Sequence, residues 1–169
     1  GSGWQPASVV PDGSNSASIN ILNGHTVSIN GGDRISADEL VVDLGGVLEV
    51  TTGSLTLLDG TGDDLQVDGT MILSDSLIVN GTATIQNTGT LELQNNTTLA
   101  GTGTVTFVSG STINDGPGLS NINFGAGIQV YNNSEVTLSS TGLDFGPGAM
   151  LENNGTINLN GTILYLTNY

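Results

Sequence analysis

Part of this chain repeats itself at one fixed offset. Asn123-Phe124-Gly125-Ala126-Gly127 and the run to Leu138 return as Asp144-Phe145-Gly146-Pro147-Gly148 and the run to Leu159. Phe124 falls on Phe145, Gly125 on Gly146 and Gly127 on Gly148. Asn132-Asn133 fall on Asn153-Asn154, and Val136 and Leu138 fall on Ile157 and Leu159. Upstream, Ile122 falls on Leu143. One offset that carries glycine, amide and apolar positions together marks a repeat architecture, in which each unit buries its apolar face against its neighbours. The period, Phe124 to Phe145, fits one full coil of a solenoid.

A shorter unit recurs along the chain. Leu65-Gln66-Val67-Asp68-Gly69-Thr70-Met71-Ile72-Leu73 matches Leu77-Ile78-Val79-Asn80-Gly81-Thr82-Ala83-Thr84-Ile85, and the pattern returns over Ile157 to Tyr165. A longer-turn version runs from Ile85 to Leu93. Each copy reads as a three-residue strand with apolar residues alternating, a tight Asn/Asp-Gly-Thr corner, and a second short strand. Asn-Gly between alternating runs is also a hairpin signal, so an antiparallel meander or sandwich is the rival fold. The strands are too short for stable isolated hairpins, and the units recur as near-copies, which a sandwich does not require. The sequence therefore predicts an all-β, right-handed parallel β-helix of about eight coils of roughly 20 residues, with strands stacked at about 4.8 Å. Val136 should stack on Ile157 and Leu138 on Leu159. Val67-Asp68-Gly69-Thr70 should be a corner and not an antiparallel turn.

Composition agrees with stacked strands. The chain has 26 Gly, 21 Thr and 18 Asn in 169 residues, so turn and strand formers dominate over helix formers. Aromatic residues make up 4%, and the apolar supply is mainly Val, Ile, Leu and Ala, which suits thin layered packing. Charged residues are only 10%, and dense alternation such as Leu55-Thr56-Leu57 and Leu91-Glu92-Leu93 can bury surface, which argues against disorder. The absence of Cys rules out a disulfide scaffold and Cys-based metal sites. Formal net charge is −15, with Arg34 the sole Lys or Arg. A nucleic-acid groove has no cations to build it, and an anionic membrane surface would be repelled. No apolar run approaches the roughly 20 residues of a membrane span.

Ile19-Asn20-Ile21-Leu22-Asn23-Gly24-His25-Thr26-Val27-Ser28-Ile29, followed by Gly45-Gly46-Val47-Leu48-Glu49-Val50, resembles the start of right-handed parallel β-helix repeats in large secreted bacterial surface proteins and adhesins. The recurring Asn-Gly-Thr units carry the resemblance over most of residues 19–166. It implies an extracellular or cell-surface module of a longer protein with neighbouring domains. The family includes adhesins, stalks, accessory domains beside secreted enzymes, and polysaccharide-degrading β-helices. The expected organisation is an expression scar and N-terminal cap over 1–18, with Trp4 and Val9-Val10-Pro11 covering the first coil, then solenoid repeats over 19–169.

Few residues suggest chemistry. Asp63, Asp64 and Asp68 form the densest acidic cluster and could hold Ca²⁺ through oxygen ligands. They also read as a solvated corner, and they lack the ligand order of an EF-hand loop. The same carboxylates could belong to a glycosidase pair, but that needs partners on neighbouring coils at the right separation. His25 is the only His and reads as a turn residue, with no triad motif beside it. Thr-x-Thr units occur at 82–84, 88–90, 102–104 and 104–106, too irregular in sequence for a regular Thr array. Tyr131 lies between two Gly/Pro loops, Asn114–Gly118 and Phe145–Gly148, and is the candidate for stacking on a sugar ring. No catalytic residue is assigned. The expected function is a non-enzymatic structural or adhesive module, with a surface glycan or a host or matrix ligand as partner. A glycan-binding accessory module and a remnant glycoside hydrolase are the alternatives.

Overall fold

The computed structural model describes residues 18–139 and 142–161, with the backbone of 163–165. The expected cap, 1–18, lies outside the described residues apart from Ser18. Alternating apolar residues make short strands, and polar or glycine corners turn the chain between them, so each circuit uses three strands. The first coil contains β1 (Ile19–Ile21), β2 (Thr26–Ile29) and β3 (Asp33–Ala37). The second contains β4 (Leu40–Val42), β5 (Val47–Val50) and β6 (Gly53–Leu57), and the third β7 (Leu65–Val67), β8 (Thr70–Leu73) and β9 (Ser76–Val79). Then follow β10 (Thr82–Ile85), β11 (Thr90–Leu93) and β12 (Asn96–Ala100), and β13 (Thr104–Phe107), β14 (Thr112–Asp115) and β15 (Asn121–Phe124). The sixth coil is β16 (Gln129–Asn132), β17 (Glu135–Ser139) and β18 (Gly142–Phe145), and the seventh β19 (Met150–Asn153), β20 (Thr156–Asn160) and β21 (Ile163–Tyr165).

Every third strand joins the same sheet. Among the described residues this gives three seven-stranded sheets, here called A (β1, β4 and onward to β19), B (β2 to β20) and C (β3 to β21). All pairings are parallel. The chain is an all-β parallel solenoid, with Val136 on Ile157 and Leu138 on Leu159 in register, as expected. Val67 ends a strand of sheet A and Thr70 begins one of sheet B, so Asp68-Gly69 is a corner. The coil count differs from about eight. Seven strands per sheet leave six steps, and the path from Ile19 to Leu151 in sheet A averages 22 residues per step. Individual steps range from 18, Leu65 to Ala83, to 25, Leu40 to Leu65. Corners of different length cause the spread: seven residues lie between β6 and β7, but only two between β9 and β10.

The interior consists of stacked columns. In sheet B, Leu48, Met71, Leu91, Ile113 and Val136 lie one above another, all buried. Phe124 and Phe145 stack face to face at 4.6 Å between ring centroids in sheet C. The core thins at both ends of the described stack. Val27 is 45% exposed in the first described coil and Leu159 42% in the last, each with a partner strand on one side among the described residues. Ile157, stacked on Val136, is only partly buried.

Candidate functional site

The acidic corner lies where sheet C passes to sheet A. Asp63 is exposed there, while Asp64 is buried at 1% exposure immediately before β7. Asp68 lies beyond the far end of β7, at the corner to sheet B, where it accepts from Gln66 Nε2 at 2.7 Å. The strand Leu65–Val67 therefore separates Asp64 from Asp68, and the three predicted carboxylates do not converge. No group of three His, Cys, Asp or Glu side chains placed to hold a metal occurs among the described residues.

The fold brings Asp38 to Asp64 instead. Asp38 lies between β3 and β4, one coil earlier than Asp64, so only the stack makes them neighbours. Asp64 accepts from the Gly60 N–H at 2.8 Å on Oδ1 and from the Thr82 N–H on Oδ2. The Thr82 hydroxyl lies 3.3 Å from the same Oδ2 and donates to the Gly62 carbonyl at 2.9 Å. Asp38 Oδ1 is buried and receives no hydrogen bond. Burial pushes the Asp38 carboxyl up from its ordinary 3.8, and the hydrogen bond with Asp64 and the charges of Asp64, Glu39 and Asp59 push it the same way. Two glycines admit this packing. A Cβ at Gly60 would collide with the Asp38 carboxyl, and one at Gly81 with Asp64 Oδ2. Asp38 carried no signal in the sequence, because it stands a whole coil away from Asp64 along the chain. The signal that could have found it was the column joining Glu39 and Asp64, each one residue before a sheet A strand.

This pair is not built like a glycosidase pair. In those enzymes the carboxyls stand about 5 Å or more apart on either side of the glycosidic bond. Asp38 and Asp64 are instead packed around one glycine: the Gly60 N–H donates to Asp64, and a Cβ there would collide with the Asp38 carboxyl.

Tyr131 sits on the outer face of sheet A, on the sixth of its seven strands, in register between Thr106 and Glu152. It is half-buried, and its phenol donates to Gln129 Oε1 at 3.2 Å. Beside it, across the corner, an open polar groove of about 580 Å³ runs along the start of β14, β17 and β20. The corner before Thr112 has four residues, and those before Glu135 and Thr156 have two each. Ser109, Asn114, Asn133, Glu135 and Thr137 are among its lining residues.

The Thr-x-Thr units are more ordered in space than in sequence. Thr82 and Thr84 stack on Thr104 and Thr106, one coil apart. The array then stops, giving way to Gln129 and Tyr131 on one side and to Gln66 beside Thr84 on the other. His25 is exposed at the corner before β2, its Nδ1 3.3 Å from the Asn23 carbonyl. It lines an apolar hollow of about 660 Å³ in the first coils, together with Ile21, Val27, Ile35 and Leu48.

Comparison with protein families, curated proteins and solved structures finds no match to this chain.

Proposed function

We propose that this chain is a non-enzymatic structural or adhesive module of a bacterial surface or secreted protein, working outside the cell as a rod that spaces or presents other parts. The observation that carries this reading is the continuous pairing of 21 strands into three parallel sheets. Six strand spacings give a rod about 29 Å long, held along its length by hydrogen bonds between successive coils. A net charge of −15 keeps such a rod soluble and repels polyanions. No helix long and apolar enough to cross a membrane occurs among the described residues. The test is a broad polysaccharide turnover screen of the chain beside Asp63→Asn and Asp64→Asn. No turnover is expected. Reproducible hydrolysis lost in either variant would establish an enzyme instead.

A second reading, a glycan-binding accessory module, draws support from Tyr131 and the polar groove beside it. An aromatic face between Thr106 and Glu152, with amides and hydroxyls around the corner, has the chemistry that a neutral sugar chain needs. A glycan array decides between the two. Binding that disappears in Tyr131→Ala favours the accessory module, and an empty array favours the rod.

A further inference from the structure

Asp64 is held as an acceptor. It is 1% exposed, and backbone N–H groups of Gly60 and Thr82 each donate to one of its oxygens, so both oxygens are occupied as acceptors. Beside Gly60, Asp38 Oδ1 is buried and receives no hydrogen bond. If Asp38 were ionised, its charge would lie among other acids and the buried oxygen would have no donor. A proton on Asp38 removes both problems, because its O–H then donates to Asp64.

We propose that Asp38 and Asp64 hold one proton between them and form a pH-sensitive clasp at the entries to the second, third and fourth coils, closed when Asp38 is protonated and strained when that proton is lost. The three entries meet there: Asp38 precedes β4, Asp64 precedes β7, and Thr82, which donates to Asp64, opens β10. The titratable groups facing Asp38 are all acids. Asp64 and Asp59 come from the corner between β6 and β7, and Glu39 stands beside Asp38 itself. The corner between β9 and β10 is Asn80-Gly81 followed by Thr82, and it contributes no charge. The sign follows from the raised carboxyl. Its stabilising contribution is complete below the ordinary value of 3.8 and declines as pH rises through the folded value.

Thermal melting of the full chain from about pH 4 to about pH 8, at constant ionic strength with a chelator, tests the clasp. Asp38→Asn keeps the shape and donates an N–H to Asp64 at every pH. Its Tm should fall less than that of the parent chain as pH rises, so the gap between the curves should widen. Parallel curves would overturn the proposal. Carbon-13 NMR titration of the parent chain's carboxyls supplies a readout that needs no variant. Asp38 should titrate above the usual Asp range, and titration within that range would also overturn the proposal. Added CaCl₂ separates proton from cation. A Ca²⁺-dependent rise in Tm near pH 8, absent in Asp38→Asn, would mean that a metal ion and not a proton bridges the pair.

Discussion

Asn132 sits fully buried in a column that is otherwise hydrocarbon below it, Ile21, Val42, Val67, Ile85 and Phe107. Its amide is satisfied on every side. Oδ1 accepts from the Ser134 N–H at 3.0 Å, and Nδ2 donates to Asn153 Oδ1 at 2.7 Å. Longer contacts reach the carbonyls of Ser134 and Thr156. A buried amide is tolerated only with such partners, and here it closes the corner that an apolar side chain would leave open. Asn132→Ala should therefore cost about 1–3 kcal/mol in chemical denaturation, since it strands the buried Ser134 N–H. Asn132→Asp should cost more, because a carboxylate cannot donate to Asn153 or to the two carbonyls. The paired asparagines were visible in the sequence, because Asn132-Asn133 and Asn153-Asn154 share the repeat offset of the apolar positions. Their inward direction was not, because the strand alternation predicts an apolar residue at that position.

At the scale of strands and corners, the short repeated unit means something different from what its repetition suggests. The copies at 65–73 and 77–85 do not stack on one another. The first turns the corner from sheet A to sheet B, the second from C to A, and the copy at 157–165 from B to C. The same tight polar turn serves between each pair of sheets, so the motif encodes a corner and says nothing about which one. What stacks is Leu65 on Ala83 and Val67 on Ile85. The strands themselves gain stability from both neighbours. Leu91, packed between Met71 and Ile113, is 1% exposed. Leu91→Ala should cost about 2–5 kcal/mol in denaturant unfolding. Ile157→Ala should cost clearly less than Leu91→Ala, because Ile157 is only partly buried against the core. Equal losses at the two positions would contradict the thinning of the core towards its ends.

Across the whole molecule, a charge of −15 is distributed over a rod with one arginine to offset it. Repulsion between carboxylates opposes the compact state and is screened by salt, with a Debye length of about 10 Å at 0.1 M and about 3 Å at 1 M. Tm measured by scanning fluorimetry at neutral pH should rise from low salt towards about 1 M NaCl. A flat or falling response would show that the charges are already too far apart to matter.

The parallel all-β solenoid was determined by local information in the chain. An apolar-x-apolar run signals a short strand, a Gly-Thr corner ends it, and the fixed repeat offset brings Val136 to Ile157. Those signals are short-range in sequence, or repeat at a fixed distance. The number of coils and the acidic corner depended on the accumulated lengths of all the corners. A corner of seven residues after β6 and one of only two after β9 set which side chains of successive coils meet. That sum placed Asp38, and not Asp68, against Asp64, and it aligned Thr82 with Thr104. Side chains at a corner meet the residues one coil away, so their partners follow from the stacking register and not from their neighbours in the chain.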